Sequence, residues 1–240
     1  MPASLSGQRV VVVGGSSGIG FAVAQVALAE GAAVVIGSSS EDNVATALER
    51  LGSGASGSAV NVREEASVQA FLERIDALDH LVFTAGDWAG NPAPSAIADL
   101  DFATAGAGMD VRFWGALKAI KHALPRIAET GSIILTDGVR AHRPAKGSPL
   151  STAFGGAIEH LTMGLAVDLA PVRVNAVCPG VVLTEVWNNV PAERLQRMTA
   201  RLPVPRAGDP DEVAQAYLYL MRGGYTTGQV LVVDGGMMLV

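Results

Sequence analysis

The sequence predicts a doubly wound α/β fold, in which one parallel β-sheet carries helices on both faces. Short apolar, β-branched segments alternate with helix-forming segments along the chain, and the first of them, residues 9–13, ends in glycines directly before a helix. Parallel strands joined by right-handed helical crossovers form a sheet that is buried on both sides. We therefore expect about seven strands in a single domain spanning residues 1–240.

The predicted elements follow in a regular order. Strands are expected at 9–13, 32–37 and 57–62, with helices at 21–30 and 41–51 between them. The pattern continues with a strand at 80–84, a helix at 100–128, a strand at 132–136, a helix at 151–169, a strand at 173–177, a helix at 210–221 and a last strand at 229–233. Loops rich in Gly and Pro, 85–94 and 139–149, follow strand ends, where such sheets hold their ligands.

Composition excludes several kinds of partner. Hydrophobic residues make up 49% and charged residues 17%, so we expect some helix surface to be buried between subunits of a homodimer or homotetramer. The net charge of −6 leaves no basic stripe for nucleic acid. Cys178 is the single cysteine, which excludes an intrachain disulfide and fits a cytoplasmic protein. No apolar run is long enough to predict a membrane span, and no metal-ligand spacing is apparent.

A glycine turn follows the first strand. Gly14, Gly18 and Gly20 are spaced so that the backbone can approach a pyrophosphate, and the next helix directs its N-terminal N–H groups at it. Ser16 and Ser17 can add hydroxyl donors. An ordinary tight turn is the alternative, but the strand–turn–helix context favours a Rossmann-type dinucleotide site.

The end of the second strand bears on the choice of cofactor. An acidic residue there would hold a ribose 2′-hydroxyl, but the chain has glycine followed by Ser38, Ser39 and Ser40. No carboxylate repels a 2′-phosphate, which favours NADP(H) over NAD(H), although the arginine often found beside that phosphate is also absent. A plain serine-rich turn before the helix at 41–51 remains the alternative.

Further motifs, in order along the whole chain, resemble those of the short-chain dehydrogenases/reductases. They are Phe-Thr-Ala-Gly at 83–86, Arg-Val-Asn-Ala-Val-Cys-Pro-Gly at 173–180, and the last strand with its glycines at 227–236. The resemblance implies that Asn61 and Val62 border the adenine, Ala85 and Gly86 the ribose, and Pro179, Gly180 and Thr184 the nicotinamide, and that Ile19 belongs to the phosphate turn. It also implies a substrate lid at about 185–205, with Trp88, Trp187 and Asn188 as candidates to face the substrate.

The family's catalytic set of asparagine, serine, tyrosine and lysine is missing. Counting along the helix at 151–169, the tyrosine and lysine correspond to Ser151 and Gly155, while Arg112 stands at the asparagine and Asp137 at the serine. A serine hydroxyl is a poor proton donor near neutrality. Loss of a general acid typically lowers a rate by about 10²- to 10⁴-fold.

The replaced positions suggest a rebuilt site. Because lone buried charges are costly, we expect Arg112 to pair with Asp137 across the space left by the tyrosine and lysine. His142 is the one histidine placed beside the expected nicotinamide and is a candidate acid or base, with a solvated loop role as the alternative. Gly155 and Gly156 inside a helix indicate that cofactor ribose, Arg112 or a second subunit needs the room.

Two functions remain open at this level. The first is an NADP(H)-dependent oxidoreductase that transfers hydride to or from a small carbonyl or alcohol by a non-standard site, with Asp137, Arg112, Ser151 or His142 assisting. The second is a non-catalytic protein of the same fold that senses the cofactor or supports an active homologous subunit. The cofactor motifs fit both, and the degraded catalytic set favours the second.

Overall fold

A computed structural model of the protein describes residues 4–86, 96–188 and 190–240. Seven strands form one parallel sheet in the order β3-β2-β1-β4-β5-β6-β7. The strands are β1 Arg9–Val13, β2 Ala33–Ser38, β3 Ala55–Ala59, β4 Leu78–Phe83, β5 Ile127–Thr136, β6 Arg173–Pro179 and β7 Val230–Val233. The predicted doubly wound sheet is confirmed, and the strand order reverses between β1 and β4, where open sheets of this kind bind ligands.

Helices cover both faces of the sheet. They are α1 Gly18–Ala29, α2 Glu41–Leu51, α3 Glu65–Glu73, α4 Ala107–Met109, α5 Ala116–Ala123, α6 Pro149–Asp168, α7 Ala192–Thr199 and α8 Pro210–Arg222, with a π-helical segment, Asp110–Gly115, between α4 and α5. None of the helices in these ranges is long and apolar enough to span a membrane.

The first strand shows why both faces must be covered. Its side chains alternate between two cores: Val10 and Val12 pack with α1 and α8, whereas Val11 and Val13 pack with α3 and α5. All four valines are buried. A strand with period-two alternation and apolar residues at every position is stable only between two helical layers.

The predicted helix at 100–128 is wrong in its bounds. The observed helical stretch runs from Ala107 through the π-helical segment to Ala123, and β5 already begins at Ile127. Pro125 explains the early end, because proline lacks an N–H and disfavours helical geometry in the residue before it. β5 therefore gains five residues at its start relative to the predicted 132–136.

Two further differences lie near the edge of the sheet. β3 ends at Ala59 rather than at 62, because Asn61 leaves the ladder and its backbone N–H donates to Ser67 Oγ at 2.9 Å. Helix α3 was not predicted, although Val68, Phe71, Leu72 and Ile75 have the i, i+3, i+4, i+7 spacing of a buried helix face.

Candidate functional site

A cavity of about 430 Å³ lies at the carboxyl ends of the strands. This volume is typical of pockets that bind small molecules and cofactors. The structure places every residue predicted for the cofactor at its wall: Gly14, Ser16, Ser17, Gly18, Ile19, Gly20, Ser38, Ser39, Asn61, Val62, Ala85, Gly86, Pro179, Gly180 and Thr184. These residues come from five separate strand ends and the turns that follow them.

The glycine turn is too crowded for side chains. A Cβ on Gly14 would stand 2.5 Å from the backbone nitrogen of Ala85, and Gly14 has φ +94°. A Cβ on Gly20 would stand 2.2 Å from the Gly14 carbonyl oxygen. The turn after β1 thus packs directly against the turn after β4, and only glycine fits.

The start of α1 offers free N–H groups to an anion. Ser17 precedes the helix in extended geometry, its side chain caps no backbone N–H, and the first turn holds no acidic residue. Ser16 Oγ donates to Ser38 Oγ at 2.8 Å and joins this turn to the end of β2. Uncapped N–H groups at a helix N-terminus, beside hydroxyls, fit a pyrophosphate.

Arg112 reaches the cavity from the π-helical segment, a local geometry that is frequent at functional sites. Its guanidinium lies against Gly86, with Nε 2.7 Å from where a Cβ on that glycine would stand. The expected ion pair with Asp137 is not formed: Arg112 is not among the groups that shift the pKa of Asp137, and Asp137 Oδ2 has no hydrogen-bond partner among the described residues. The reason is that the π-helical segment directs Arg112 toward the β4 turn.

Ser151 and Gly155 do not line the cavity. Gly155 instead faces Asp137: a Cβ on it would stand 2.7 Å from Asp137 Oδ1 and 2.8 Å from the Cβ of Ala141. Arg112, one of the three candidates for the room at these helix glycines, is not among the atoms nearest to the Gly155 Cβ position. The Asp137 carboxyl itself, with Ala141 behind it, occupies the space on that side of α6.

Asp137 is the unusual acid of the site. It lines the cavity at the end of β5, yet it is only 3% exposed. Burial, followed by a hydrogen bond from its carboxyl group to Glu159, raises the pKa of Asp137 to about 7. A carboxyl group with this pKa holds its proton during much of the neutral range and can therefore donate it.

Three side chains gather around Asp137. His142 Nε2 donates to Glu159 Oε1 at 2.5 Å, and Cys178 is fully buried beside them. The polar atoms of all four groups lie within 4.8 Å of one another. Glu159 and Cys178 were missed at the sequence level. The signal for Glu159 was a charged residue one turn beyond Gly155 on an otherwise apolar helix face.

The remaining candidates lie apart from this cluster. Trp187 lines the cavity, Asn188 does not, and Trp88 falls outside the described residues. Within the expected lid, a 3-10 turn at Glu185–Trp187 is followed by α7. Tyr217 is fully buried under the sheet, where its hydroxyl bonds Thr136 Oγ1 at 2.7 Å, and burial raises its pKa further above the ordinary value.

The two adjacent helix glycines provide a matched test of the packing at Asp137. We expect Gly155→Ala to destabilise the fold by about 1–3 kcal/mol, because its methyl group collides with Asp137 and Ala141. In the part of the chain that the structure describes, no atom lies within 4 Å of the Gly156 Cβ position, so Gly156→Ala should stabilise the fold by about 1 kcal/mol through helix propensity. Urea unfolding measures both. Equal effects at the two positions would contradict the packing described.

A doubly wound sheet with a glycine turn and a cavity at its switch point defines a dinucleotide-binding protein. The family model described as enoyl-(acyl carrier protein) reductase matches residues 13–238. The chain belongs to the short-chain dehydrogenase/reductase family of oxidoreductases, whose members bind a nicotinamide cofactor.

Curated relatives and solved structures agree with this assignment. The short-chain dehydrogenase/reductase ucsE of Acremonium sp is 35% identical, with 98% of this chain and 97% of ucsE covered. A small-chain dehydrogenase solved in complex with NADPH is 33% identical, with a TM-score of 0.83 and 97% and 99% of the two chains covered. The solved MalC reductase/Diels-Alderase of Malbranchea aurantiaca is 31% identical, with a TM-score of 0.91 and 98% of each chain covered.

Proposed function

We propose that the chain is an NADPH-dependent reductase of a small carbonyl compound, with Asp137 as the proton donor in place of the family's tyrosine. One observation carries the proposal: a buried carboxyl group lines the cavity at the end of β5, and burial raises the pKa of Asp137 to about 7. General acids work best when their pKa is close to the working pH.

The residues around the cavity divide the remaining tasks. The bound nicotinamide would supply the hydride. The glycine turn and the start of α1 would hold the pyrophosphate, and Arg112 would stabilise the charge that develops on the substrate oxygen. Asp137 would donate its proton to that oxygen. Apolar side chains of the lid region would pack against the carbon part of the substrate and exclude water; those that line the cavity are Val186, Trp187 and Met198.

The preference for NADPH rests on the end of β2, where Ser38 and Ser39 line the cavity without a carboxylate. We expect Ser39→Asp to lower the ratio of NADPH to NADH affinity on the order of tenfold or more, because an added carboxylate repels a 2′-phosphate and accepts a ribose hydroxyl. Ser39→Asn, of nearly the same size but neutral, is the control and should keep the preference. Fluorescence titration of both cofactors measures it. Equal ratios for the two variants would argue against a 2′-phosphate at Ser39.

A non-catalytic cofactor-binding protein is the second candidate, favoured by the absence of tyrosine and lysine from the cavity wall in the described ranges. Steady-state assays with NADPH against a panel of aldehydes, ketones and their alcohols separate the two. The MalC relative is described as a reductase/Diels-Alderase, so products should also be inspected for cyclisation. Turnover supports the reductase, whereas tight NADPH binding without turnover across the panel supports the second candidate.

We also propose that the protein is a homo-oligomer. Trp114, Met163 and Val167 are 53%, 46% and 82% exposed, and they lie on the helical segments that cover one face of the sheet. Exposed large apolar side chains on neighbouring helices are typical of subunit interfaces. Analytical ultracentrifugation tests the proposal, and a monomer at micromolar concentration would contradict it.

A further inference from the structure

A buried acidic pair lies behind the cavity wall. Asp137 and Glu159 are 3% and 7% exposed, and their carboxyl groups are close enough to share a hydrogen bond. No Lys or Arg in the described ranges forms an ion pair with either carboxyl group; among these residues His142 is the one basic side chain in hydrogen-bond contact with the pair. Two buried carboxylates side by side are unstable unless a proton or a cation lies between them.

A proton fits this cluster better than a metal ion. Carboxylate, imidazole and thiolate are ligands of zinc, and donors held about 2.0–2.3 Å from one tetrahedral ion stand more than about 3 Å apart. His142 Nε2 and Glu159 Oε1 are only 2.5 Å apart. That separation leaves room for the proton of a direct, short hydrogen bond but not for an ion between the two atoms.

The cluster also connects the cavity to the surface. Asp137 borders the cavity, Glu159 lies behind it on α6, and His142 beyond Glu159 has 34% of its side chain exposed. We propose that Asp137, Glu159 and His142 form a proton relay, in which Glu159 and His142 return a proton from solvent to Asp137 after each turnover. This inference rests on the proposed reductase function and extends it to two residues outside the cavity wall.

The proton balance closes over one turnover. Asp137 gives its O–H proton to the substrate oxygen and becomes a carboxylate. Glu159 then takes the proton from Nε2 of the His142 imidazolium and passes it to Asp137, and His142 is reprotonated from solvent. One proton enters from solvent for each hydride accepted by the substrate, and no other reactant is needed.

The surroundings keep the proton on this path. Burial, with Asp137 next to it, raises the pKa of the Cys178 thiol above its ordinary value, so the thiol stays protonated and donates toward Asp137 without exchanging protons. Asp234 faces Cys178 from the end of β7 and adds negative charge. Arg112 lies toward Gly86, on the side of the β4 turn. Gly155 leaves the space that brings Asp137 against α6.

The first experiment needs no substrate. Infrared spectra of the protein without cofactor should show the C=O band of a protonated carboxyl group at pH 6, and Asp137→Asn should remove it. Because Glu159 raises the pKa of Asp137, Glu159→Gln should shift the loss of that band to lower pH. Absence of the band at pH 6, or a stoichiometric metal ion in the purified protein by mass spectrometry, would overturn the relay.

The second experiment measures turnover. His142→Ala should lower kcat about 10- to 100-fold and regain activity when imidazole is added, because a soluble acid replaces the missing relay group. At a pH where the infrared band shows Asp137 still protonated in Glu159→Gln, the first turnover of this variant should proceed at the wild-type rate and later turnovers should be slow. His160→Ala is the matched control: His160 lies on the same helix, bonds the Gly156 carbonyl and is outside the cluster, so activity should not change.

The outcomes separate the relay from the reductase itself. The relay would be overturned if His142→Ala and Glu159→Gln both kept the wild-type rate while Asp137→Asn was inactive. The reductase proposal would still stand in that case. A loss in His142→Ala that imidazole does not rescue would assign His142 a structural role and also overturn the relay. Should no carbonyl substrate be turned over, the reductase proposal fails and the infrared result alone decides whether the three groups share a proton.

Discussion

Asp137→Asn is expected to lower kcat for carbonyl reduction by about 10²- to 10⁴-fold, because an amide has the shape of the protonated carboxyl group but no proton to give. NADPH affinity should change little, since the groups that fit the pyrophosphate lie at the glycine turn and at the start of α1. Steady-state kinetics and cofactor titration measure the two effects. Asp168→Asn, an exposed acid at the end of α6, is the control.

The pH dependence follows from the same group. Only the protonated carboxyl group can donate, so the wild-type rate of reduction should fall as pH rises through about 7, the value to which burial raises the pKa of Asp137. Asp137→Asn should lack this decline. A wild-type rate that is flat between pH 6 and pH 8, or an Asp137→Asn variant with full activity, would exclude Asp137 as the proton donor.

Stability gives an independent check on the raised pKa of Asp137. In the unfolded chain this carboxyl group ionises near its ordinary pKa of 3.8, whereas in the folded protein it keeps its proton until about 7. Its contribution to the free energy of unfolding is therefore present below about pH 4 and is lost as pH rises to about 7. The Tm of Asp137→Asn minus that of the wild type should increase across this window.

Gly20→Ala is expected to abolish tight cofactor binding. The added methyl group would stand 2.2 Å from the Gly14 carbonyl oxygen and 2.4 Å from Thr84 Oγ1, so the backbone of the turn must move. Loss of one hydrogen bond to a charged phosphate costs about 1.5–3 kcal/mol, which corresponds to a roughly 10- to 100-fold weaker Kd. Crowding should also lower the free energy of unfolding by about 1–3 kcal/mol.

Gly164→Ala serves as the control for Gly20→Ala. Gly164 is also helical, but no atom of residues 4–86, 96–188 or 190–240 lies within 4 Å of its Cβ position, so cofactor affinity should be unchanged. Isothermal titration calorimetry with NADPH and urea unfolding measure both quantities. Wild-type affinity in Gly20→Ala would show that the phosphate groups bind elsewhere than at this turn.

The fold was predictable because its signals are local. Each pattern that predicts the fold spans only a few residues: the valines of β1, the glycines after them, and the alternation of apolar strands with helices. The right-handedness of the crossover connections then restricts the sheet to a few topologies. The bounds of the third predicted helix, at 100–128, were wrong because Pro125 ends it early. The short α3 was missed although its periodic apolar face was present in the sequence.

The replacement of the family's catalytic residues stays a prediction from the sequence, whereas the contact predicted between two of the replaced positions was wrong. Counting along the chain identified Arg112, Asp137, Ser151 and Gly155 together, and their charges suggested an ion pair. The π-helical segment instead directs Arg112 toward Gly86, and Asp137 turns toward Glu159. A local change in helical winding has no strong signature in the sequence, and it decides which neighbour a long side chain reaches.

The sequence by itself determined the parallel sheet, the glycine turn and the absence of the tyrosine and lysine, because each depends on residue type and spacing along the chain. Only the tertiary structure decided that Asp137, His142, Glu159 and Cys178 meet. These residues come from β5, the turn after it, α6 and β6, and packing across the sheet brings them into one low-dielectric environment. Burial there raises the pKa of Asp137 into the neutral range.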